Sequence, residues 1–141
     1  MTDINARLQA ISGAKPLIQK NDGFWMDAAD LNVLDLAQVI KESGARFSTM
    51  TGEILNDTET AVIYHIFLNG QAYNIKVATK DNKLPSISPV LPAAEWIERE
   101  ISDLFKTEFV GHPHPDRLLR PVQLAAGLMR EPGGAAGKAT R

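Results

Sequence analysis

The side chains that could act in catalysis or bind a metal are concentrated in one stretch of the C-terminal half, which is rich in acids and histidines. A helix-forming segment carries Glu98, Glu100 and Asp103, and the loop after it carries His112 and His114. Carboxylates close to imidazoles are the groups that bind metals and that act in general acid–base catalysis. The spacing therefore raises an enzyme hypothesis, a stand-alone metal-dependent site built on His112 and His114.

The arrangement of these histidines argues against a metal site. Pro113 and Pro115 alternate with them, and no third histidine is near in sequence. The remaining histidine, His65, lies in an apolar segment between Ile63 and Phe67, which favours a hydrogen-bonded core residue. The chain has no cysteine, which excludes thiolate zinc sites and all-cysteine iron–sulfur clusters within it. We expect no metal, no cofactor and no catalytic residue.

Other binding functions are also disfavoured. The C-terminal GGAAGKAT fails the phosphate-loop pattern, because Pro132 replaces the first glycine and Ala139 follows the lysine where Ser or Thr is needed. The net charge is -2 and there is no basic stripe, so nucleic acid is not an expected partner. No apolar run approaches the roughly 18 to 20 residues of a membrane span. We therefore expect a cytoplasmic protein.

The N-terminal elements are predicted from apolar spacing and end signals. A short helix is expected between a cap at Thr2 or Asp3 and a stop at Gly13, because the apolar residues Ile4, Leu8 and Ile11 recur at helical spacing. The Asn-Asp-Gly turn at 21–23 predicts a hairpin between two short extended segments. A second helix is expected to be capped by Asp30 or Asn32 and to end at Gly44.

The central segment predicts strands. Residues 47–55 are extended but weakly patterned, whereas residues 61–68 are apolar on both alternating faces, as in a strand inside a sheet. Asn-Gly at 69–70 is the clearest hairpin signal, since residues 73–77 resume a strict alternation. These patterns predict an antiparallel strand pair in the sheet interior.

The remaining elements lie after three prolines that mark an extended connection. Pro92 is expected in the first turn of the last helix, which runs to about Lys106 and must pack on the sheet. After Leu128 the chain is rich in Gly and Ala with no apolar periodicity. We predict one domain over residues 1–125 and a disordered tail over residues 126–141.

Recognition rests on residues 96–121, which read WIEREISDLFKTEFVGHPHPDRLLRP. This stretch resembles the signature of the family of the C subunit (30-kDa subunit) of NADH:quinone oxidoreductase, a W-x-E-R-E-x-x-D-[LM]-[FY] helix followed by F-x-G-H-P. The resemblance extends more loosely over about residues 28–121. Beyond Gly111 the chain is more similar to the branch of energy-converting nickel–iron hydrogenases and formate hydrogenlyase, which favours H-P-D-P-R-R-L-L. The residues that match this branch are Pro115, Arg117, Leu118 and Leu119.

The resemblance implies a fold and a function. It implies a two-layer α+β domain with a mixed, mostly antiparallel sheet of about five strands and helices on one face. It also implies a subunit without a redox centre that packs against the large catalytic subunit and a neighbouring iron–sulfur subunit on the cytoplasmic side of a membrane. We favour a hydrogenase-type complex, with the C subunit of NADH:quinone oxidoreductase as the alternative.

The sequence departs from the family pattern at three places. Lys106 stands where Gly usually follows the aromatic residue, which puts the shape of the helix end in doubt. His114 replaces an acid and Asp116 an arginine, which reverses the local charge. The P-L-R-K-D-[FY] stretch of the respiratory branch is absent, so a partner contact made by that stretch is in doubt.

The charged residues of the last helix have two interpretations. Arg99 lies four residues from both Glu95 and Asp103, and exposed pairs at this spacing contribute only about 0.3 to 0.5 kcal/mol each. Enclosed at an interface between subunits, the same charges would select the partner, because an unpaired desolvated charge is costly.

The partner-contact interpretation includes the loop after the helix. A tryptophan near a helix start is commonly a core residue, and that alternative stays open for Trp96. His112 has a structural alternative, a hydrogen bond to a loop carbonyl. The predicted partner-binding residues are Trp96, Glu98, Arg99, Glu100, Asp103, Phe109, Gly111, His112, Pro113 and Arg117.

Overall fold

The computed structural model describes residues 4–113, which form two sheets and three α-helices. The helices are α1 (Ile4–Ile11), α2 (Val33–Ser43) and α3 (Glu95–Phe105), and a 3-10 turn over Pro92–Ala94 leads into α3. The strands are β1 (Ile18–Lys20), β2 (Gly23–Asp27), β3 (Arg46–Ile54), β4 (Thr60–Leu68), β5 (Gln71–Ala78), β6 (Lys83–Pro85) and β7 (Glu108–Val110).

The main sheet has the strand order β1-β2-β5-β4-β3. Strand β2 pairs with β5 in parallel, and the other neighbours are antiparallel. The N-terminal hairpin therefore joins the sheet beside β5, and β4 lies between β5 and β3. This arrangement confirms the predicted α+β class and the mixed, mostly antiparallel five-stranded sheet.

The hairpin between β4 and β5 forms where Asn-Gly predicts it. Asn69 and Gly70 have φ angles of 54° and 76°, the left-handed conformations that a tight two-residue hairpin turn requires. The turn fixes the register in which Leu68 pairs with Gln71. The helix ends are also as predicted, since the Asn32 side chain accepts from the Leu34 amide and Gly44 ends α2 in the left-handed region.

The core lies on one face of the main sheet. Val62, Tyr64 and Ile66 of β4 are fully buried in a single cluster with residues of α1, α2 and α3. The opposite face carries His65 and Phe67, and the Phe67 side chain is 42% exposed. The apolar pattern of residues 61–68 predicted burial on both sides of β4. On this second face Ala61 and Ile63 are buried as predicted, so the prediction is wrong only toward the end of the strand, at His65 and Phe67.

A small parallel sheet of β6 and β7 was not predicted from the sequence. The Ser86 amide donates to the Val110 carbonyl at 2.8 Å, which continues the pairing past Pro85. Proline lacks an N–H, so Pro85 is compatible with a strand only where no donor is needed. The proline-rich connection is therefore fixed to the segment that follows α3.

Helix α3 packs on the main sheet through a close contact. A Cβ added at Gly52 of β3 would lie 2.5 Å from the Phe105 ring, so glycine leaves the space that the aromatic ring fills. After Phe105, Lys106 adopts a left-handed conformation with φ 61° and donates its amide to the Ser102 carbonyl at 3.0 Å. The helix end therefore has the backbone that glycine would provide, and the doubt raised by this departure is resolved.

Several predictions fall outside the described residues. The tail over residues 126–141 and the domain boundary at residue 125 belong to this group, so both stay predictions. Among residues 4–113 no helix combines the length and the apolar character needed to cross a bilayer.

Candidate docking site

Helix α3 determines which signature residues reach the surface. Its hydrophobic side packs Ile101 into the core, with Ile97 and Phe105 packed partly against it. A helix has 3.6 residues per turn, so Glu98 lies seven residues before Phe105 on nearly the same side, whereas Trp96 points elsewhere. The element therefore divides the signature into an inward and an outward set.

Trp96 belongs to the outward set. Its side chain is 66% exposed, and the Arg99 guanidinium carbon lies 5.5 Å from the centre of its ring. A guanidinium at this distance over an indole face is in the range of a cation–π interaction. The alternative that Trp96 is a core residue is therefore wrong. Glu100, next to Arg99, is half-buried.

Glu98 belongs to the inward set and has no exposed surface. Its carboxylate accepts hydrogen bonds from the Ser86 hydroxyl at 2.6 Å, the Ser88 hydroxyl at 2.5 Å and the Ile87 amide at 2.8 Å. These donors satisfy the desolvated carboxylate, which would otherwise be costly to bury. The expectation that Glu98 itself faces a partner is corrected, because the chain's own atoms enclose it.

Asp103 requires the same correction. It is 3% exposed although it lies in a charged run of the helix. A side chain enclosed to this extent offers almost no area to another polypeptide, so Asp103 is a residue of the interior in this structure. Of the four charged residues predicted to select a partner, Arg99 and Glu100 remain accessible.

The turn after β7 folds back on the start of α3. Phe109 is buried in the core, whereas Gly111 has φ 84° and is exposed together with Pro113. His112 Nε2 lies 3.0 Å from the Glu95 carbonyl oxygen, a bond that the histidine donates. The structural alternative for His112, a hydrogen bond to a backbone carbonyl, is therefore observed, and the carbonyl belongs to α3.

Residues of α3 and of this turn meet at one groove. A groove of about 320 Å³ lies between α3 and β7, and Arg99, Gly111 and His112 are among its lining residues. We use the name docking surface for the predicted partner-binding residues that are accessible, of which Arg99 and Gly111 line the groove. They are Trp96, Arg99, Glu100, Gly111 and Pro113.

A buried tyrosine lies close to the inward side of α3. Tyr64 of β4 is fully buried, and burial raises the pKa of its hydroxyl well above the usual value. The negative charge of Glu98 raises this pKa further. The hydroxyl has no hydrogen-bond partner within residues 4–113. Tyr64 therefore stays neutral and packs as an aromatic core residue.

The histidines do not form a cluster in the described part of the chain. His65 lies on the sheet face opposite α3, where Nε2 is 2.8 Å from the Thr51 hydroxyl and Nδ1 is 2.5 Å from Asn74 Oδ1. It is hydrogen-bonded as predicted, but it is partly exposed and does not belong to the core. No three His, Asp or Glu side chains between residues 4 and 113 are arranged to hold a metal ion. His114 and Arg117 lie outside the described residues.

Sequence reasoning gave no role to Ser86 and Ser88. Both are buried and donate to Glu98, yet serines between prolines are common in exposed linkers. The available signal was the alternation of Ser86, Ile87 and Ser88 before a helix with an inward acid. That pattern places two hydroxyls on one side of an extended segment.

Comparisons with known proteins agree with this architecture. Residues 26–131 match the family described as respiratory-chain NADH dehydrogenase, 30 Kd subunit. The chain is 35% identical over 103 residues to the C subunit of NADH-quinone oxidoreductase from Ruegeria pomeroyi, covering 67% of this chain and 52% of that protein. The chain thus spans about half the length of this curated relative.

Two further matches cover different shares of the chain. The C/D subunit of NADH-quinone oxidoreductase from Nitrosospira multiformis is 45% identical over 64 residues, which is 43% of this chain and 10% of that protein. The solved structure of a trypsin-resistant fragment of Nqo5 superposes with a TM-score of 0.62 at 19% identity, covering 79% of this chain and 99% of the fragment. The second match supports the fold. With the family match over most of its length, the chain belongs to the family of the 30-kDa subunit of respiratory-chain NADH dehydrogenase.

Proposed function

We propose that this chain is a non-catalytic docking subunit of a membrane-associated oxidoreductase related to complex I, and that it binds the large catalytic subunit through the docking surface. The observation that carries the proposal is Trp96, two-thirds exposed with Arg99 over its ring. Tryptophan and arginine dominate the binding energy of protein interfaces, and a tryptophan left in water gains most from being covered. The surface therefore has the residue types of an interface centre.

The names of the relatives support a large subunit of the D type as the partner. Several matched proteins are called the C/D subunit of NADH-quinone oxidoreductase, a name that joins the C and D designations in one protein. A chain of the C type and a D-type large subunit would then be neighbours in the complex. A neighbouring iron–sulfur subunit as second partner, and a peripheral position on the cytoplasmic side of the membrane, complete the proposal.

The NADH:quinone branch is the first candidate for the whole complex. The matched curated relatives carry the name of the C or the C/D subunit of NADH-quinone oxidoreductase, which supports this branch over the hydrogenase-type branch favoured by the sequence motif alone. The hydrogenase-type complex is the second candidate. It is favoured by HPHPDRLLRP, in which Arg117, Leu118 and Leu119 match that branch.

Co-purification from the native host tests the function and the branch together. The full chain with an affinity tag is purified from solubilised membranes, and the retained subunits are identified by mass spectrometry. We expect a D-type large subunit with NADH-dependent quinone reduction in the preparation. Nickel and hydrogen evolution in the same preparation would establish the second candidate, and the absence of any D-type subunit would contradict the docking function.

Variants of the docking surface test the surface itself. Trp96→Ala and Arg99→Ala should each lower the D-type subunit retained per tagged chain at least tenfold, because removal of an interface centre costs about 2 kcal/mol or more. Their unfolding free energies should change by less than about 0.5 kcal/mol, as for other exposed sites. Phe67→Ala is the matched control, since it removes an exposed aromatic side chain from the opposite sheet face. Equal retention by all three variants would assign the contact to another surface.

A further inference from the structure

The Glu98 cluster, formed by Glu98 with Ser86, Ile87 and Ser88, connects two segments that are distant in sequence. Three donors of the connection before α3 converge on one carboxylate of the helix, at 2.5 to 2.8 Å. The Ser88 amide also donates to the Ser86 hydroxyl at 3.2 Å, so the serines are oriented by each other as well. The connection is therefore bound to α3 through a single side chain.

The same carboxylate lies beside the turn that carries the docking surface. His112 Nε2 is 3.7 Å from Glu98 Oε1, and the histidine side chain is only 3% exposed. The Ser86 amide continues the β6–β7 pairing through the Val110 carbonyl, one residue before Gly111. Glu98 thus contacts the connection directly and reaches the turn both through His112 and through the small sheet.

Burial of a carboxylate at this position costs desolvation free energy. An apolar side chain of similar size would fill the same space without the cost of desolvating a charge, and such replacements are often neutral or stabilising. What the carboxylate adds is direction, because its oxygens fix three donors at defined angles. The cluster therefore sets the orientation of the connection and the turn more than it adds stability.

We infer that Glu98 is a positioning residue that holds the Gly111–Pro113 turn against α3 and so shapes the docking surface before any partner binds. The inference rests on the proposed function. Glu98 does not contact the partner itself; it orients the backbone that presents Gly111 and Pro113 near the start of α3, where His112 bonds the Glu95 carbonyl. A pre-formed surface binds more tightly because less ordering is left to the moment of binding.

Glu98→Gln is the sharpest variant, because it keeps the shape and removes the charge and one acceptor oxygen. In the tagged full chain purified from native membranes, the D-type subunit retained per chain should fall at least fivefold. Hydrogen–deuterium exchange of the isolated full chain should accelerate at least tenfold at the Ile87 and His112 amides. Exchange within β4 should be unchanged, which separates a local loosening from global destabilisation.

Two further variants complete the test. Ser88→Ala removes one of the three donors and should reduce retention in the same direction by a smaller factor; it decides the question if Glu98→Gln fails to fold. Ile40→Val removes a buried methylene from α2 and controls for generic destabilisation. In a Ser86→Ala/Ser88→Ala background, the effect of Glu98→Gln on retention should shrink, because residues that act through one network are not additive.

The outcomes separate the inference from the function on which it rests. If the wild-type chain retains no D-type subunit, the docking function itself fails. If the wild-type chain retains it and folded Glu98→Gln and Ser88→Ala retain it equally, with unchanged exchange at Ile87 and His112, the positioning role is overturned. Equal losses for Glu98→Gln and Ile40→Val would also overturn it, since any destabilisation would then have the same effect.

Discussion

The hydroxyl oxygen of Tyr64 is a polar atom buried in the hydrophobic core. The side chain lies on the helix-covered face of β4, fully buried, and its hydroxyl has no hydrogen-bond partner within residues 4–113. A buried hydroxyl without a partner costs roughly 1 to 3 kcal/mol relative to one that is hydrogen-bonded. The aromatic ring provides the stabilising apolar area, and the oxygen reduces its benefit.

Tyr64→Phe should therefore raise the unfolding free energy by about 1 kcal/mol at pH 8. The effect should grow in alkali, because burial raises the pKa of Tyr64 in the folded state. Above the unfolded-state pKa of about 10, only the unfolded chain releases this proton, so folding stability is lost as the pH rises. By pH 11 the wild type should lose about 1.4 kcal/mol that the variant keeps. Urea unfolding at both pH values measures the difference.

Tyr73→Phe is the control for this experiment, because it leaves Tyr64 in place and should retain the alkaline loss. A Tyr64→Phe chain that is less stable than the wild type at pH 8 would show that the hydroxyl has a stabilising partner. Parallel pH dependences in wild type and variant would show that Tyr64 titrates normally.

The positions of Trp96 and Glu98 show that residue type alone does not predict which side chains of α3 are buried. Helical spacing places Glu98 on the side of Phe105, but a glutamate is almost never fully buried without partners, so its type predicted an exposed position. The partners are Ser86 and Ser88, which spacing along α3 cannot reveal. The exposure of Trp96 was predicted by the family resemblance and opposed by the usual burial of tryptophan, and only the fold decides between them.

At the scale of elements, the C-terminal end of α3 depends on a residue from a distant loop. The side-chain amide nitrogen of Asn82, Nδ2, donates to the Phe105 carbonyl at 3.1 Å and to the Lys106 carbonyl at 3.0 Å. Its oxygen accepts from the hydroxyls of Thr60 and Thr107, both at 2.9 Å. The last carbonyls of a helix have no hydrogen-bond donor within the helix, and Asn82 provides that donor at the end of α3.

Asn82→Asp is expected to lower the unfolding free energy by about 1 to 3 kcal/mol. Aspartate keeps the oxygen that accepts from the two threonines and tolerates the left-handed backbone, but it offers no N–H to the helix carbonyls. Urea unfolding at pH 7 measures the change. Asn21→Asp, in an exposed turn, is the matched control and should change little. An Asn82→Asp chain as stable as the wild type would mean that the helix end does not need these donors.

Elements with local signals were predictable, and elements with distant partners were not. The hairpin at Asn69–Gly70 and the end of α2 at Gly44 follow from the residues that form them, because turn and cap geometry are local. Strands β6 and β7 have three residues each, so neither is long enough to show a periodic pattern. They pair in parallel although α3 separates them in the sequence. Pro85 within β6 pointed away from a strand altogether.

At the scale of the molecule, the helices described between residues 4 and 113 share a core with one face of the main sheet, and the docking surface belongs to that side. The five-stranded sheet and the helices share one core, to which the separate β6–β7 sheet contributes Leu84 and Phe109, and the Glu98 cluster also connects this small sheet to α3. Family membership could be predicted from residues 96–121 alone. The division of that stretch into an interior set and an accessible set required the fold.

This division predicts unequal local stability. The amides of Val62, Tyr64 and Ile66 lie in a strand paired on both sides and covered by the core, so they should exchange with solvent only by global unfolding. The amides of Ser86 and Val110 lie in a two-stranded sheet of three residue pairs and should exchange at least tenfold faster in the isolated chain. Native-state hydrogen exchange with added urea measures both groups. Equal exchange rates with the same urea dependence would contradict this prediction, because the small sheet and the main sheet would then unfold as one unit.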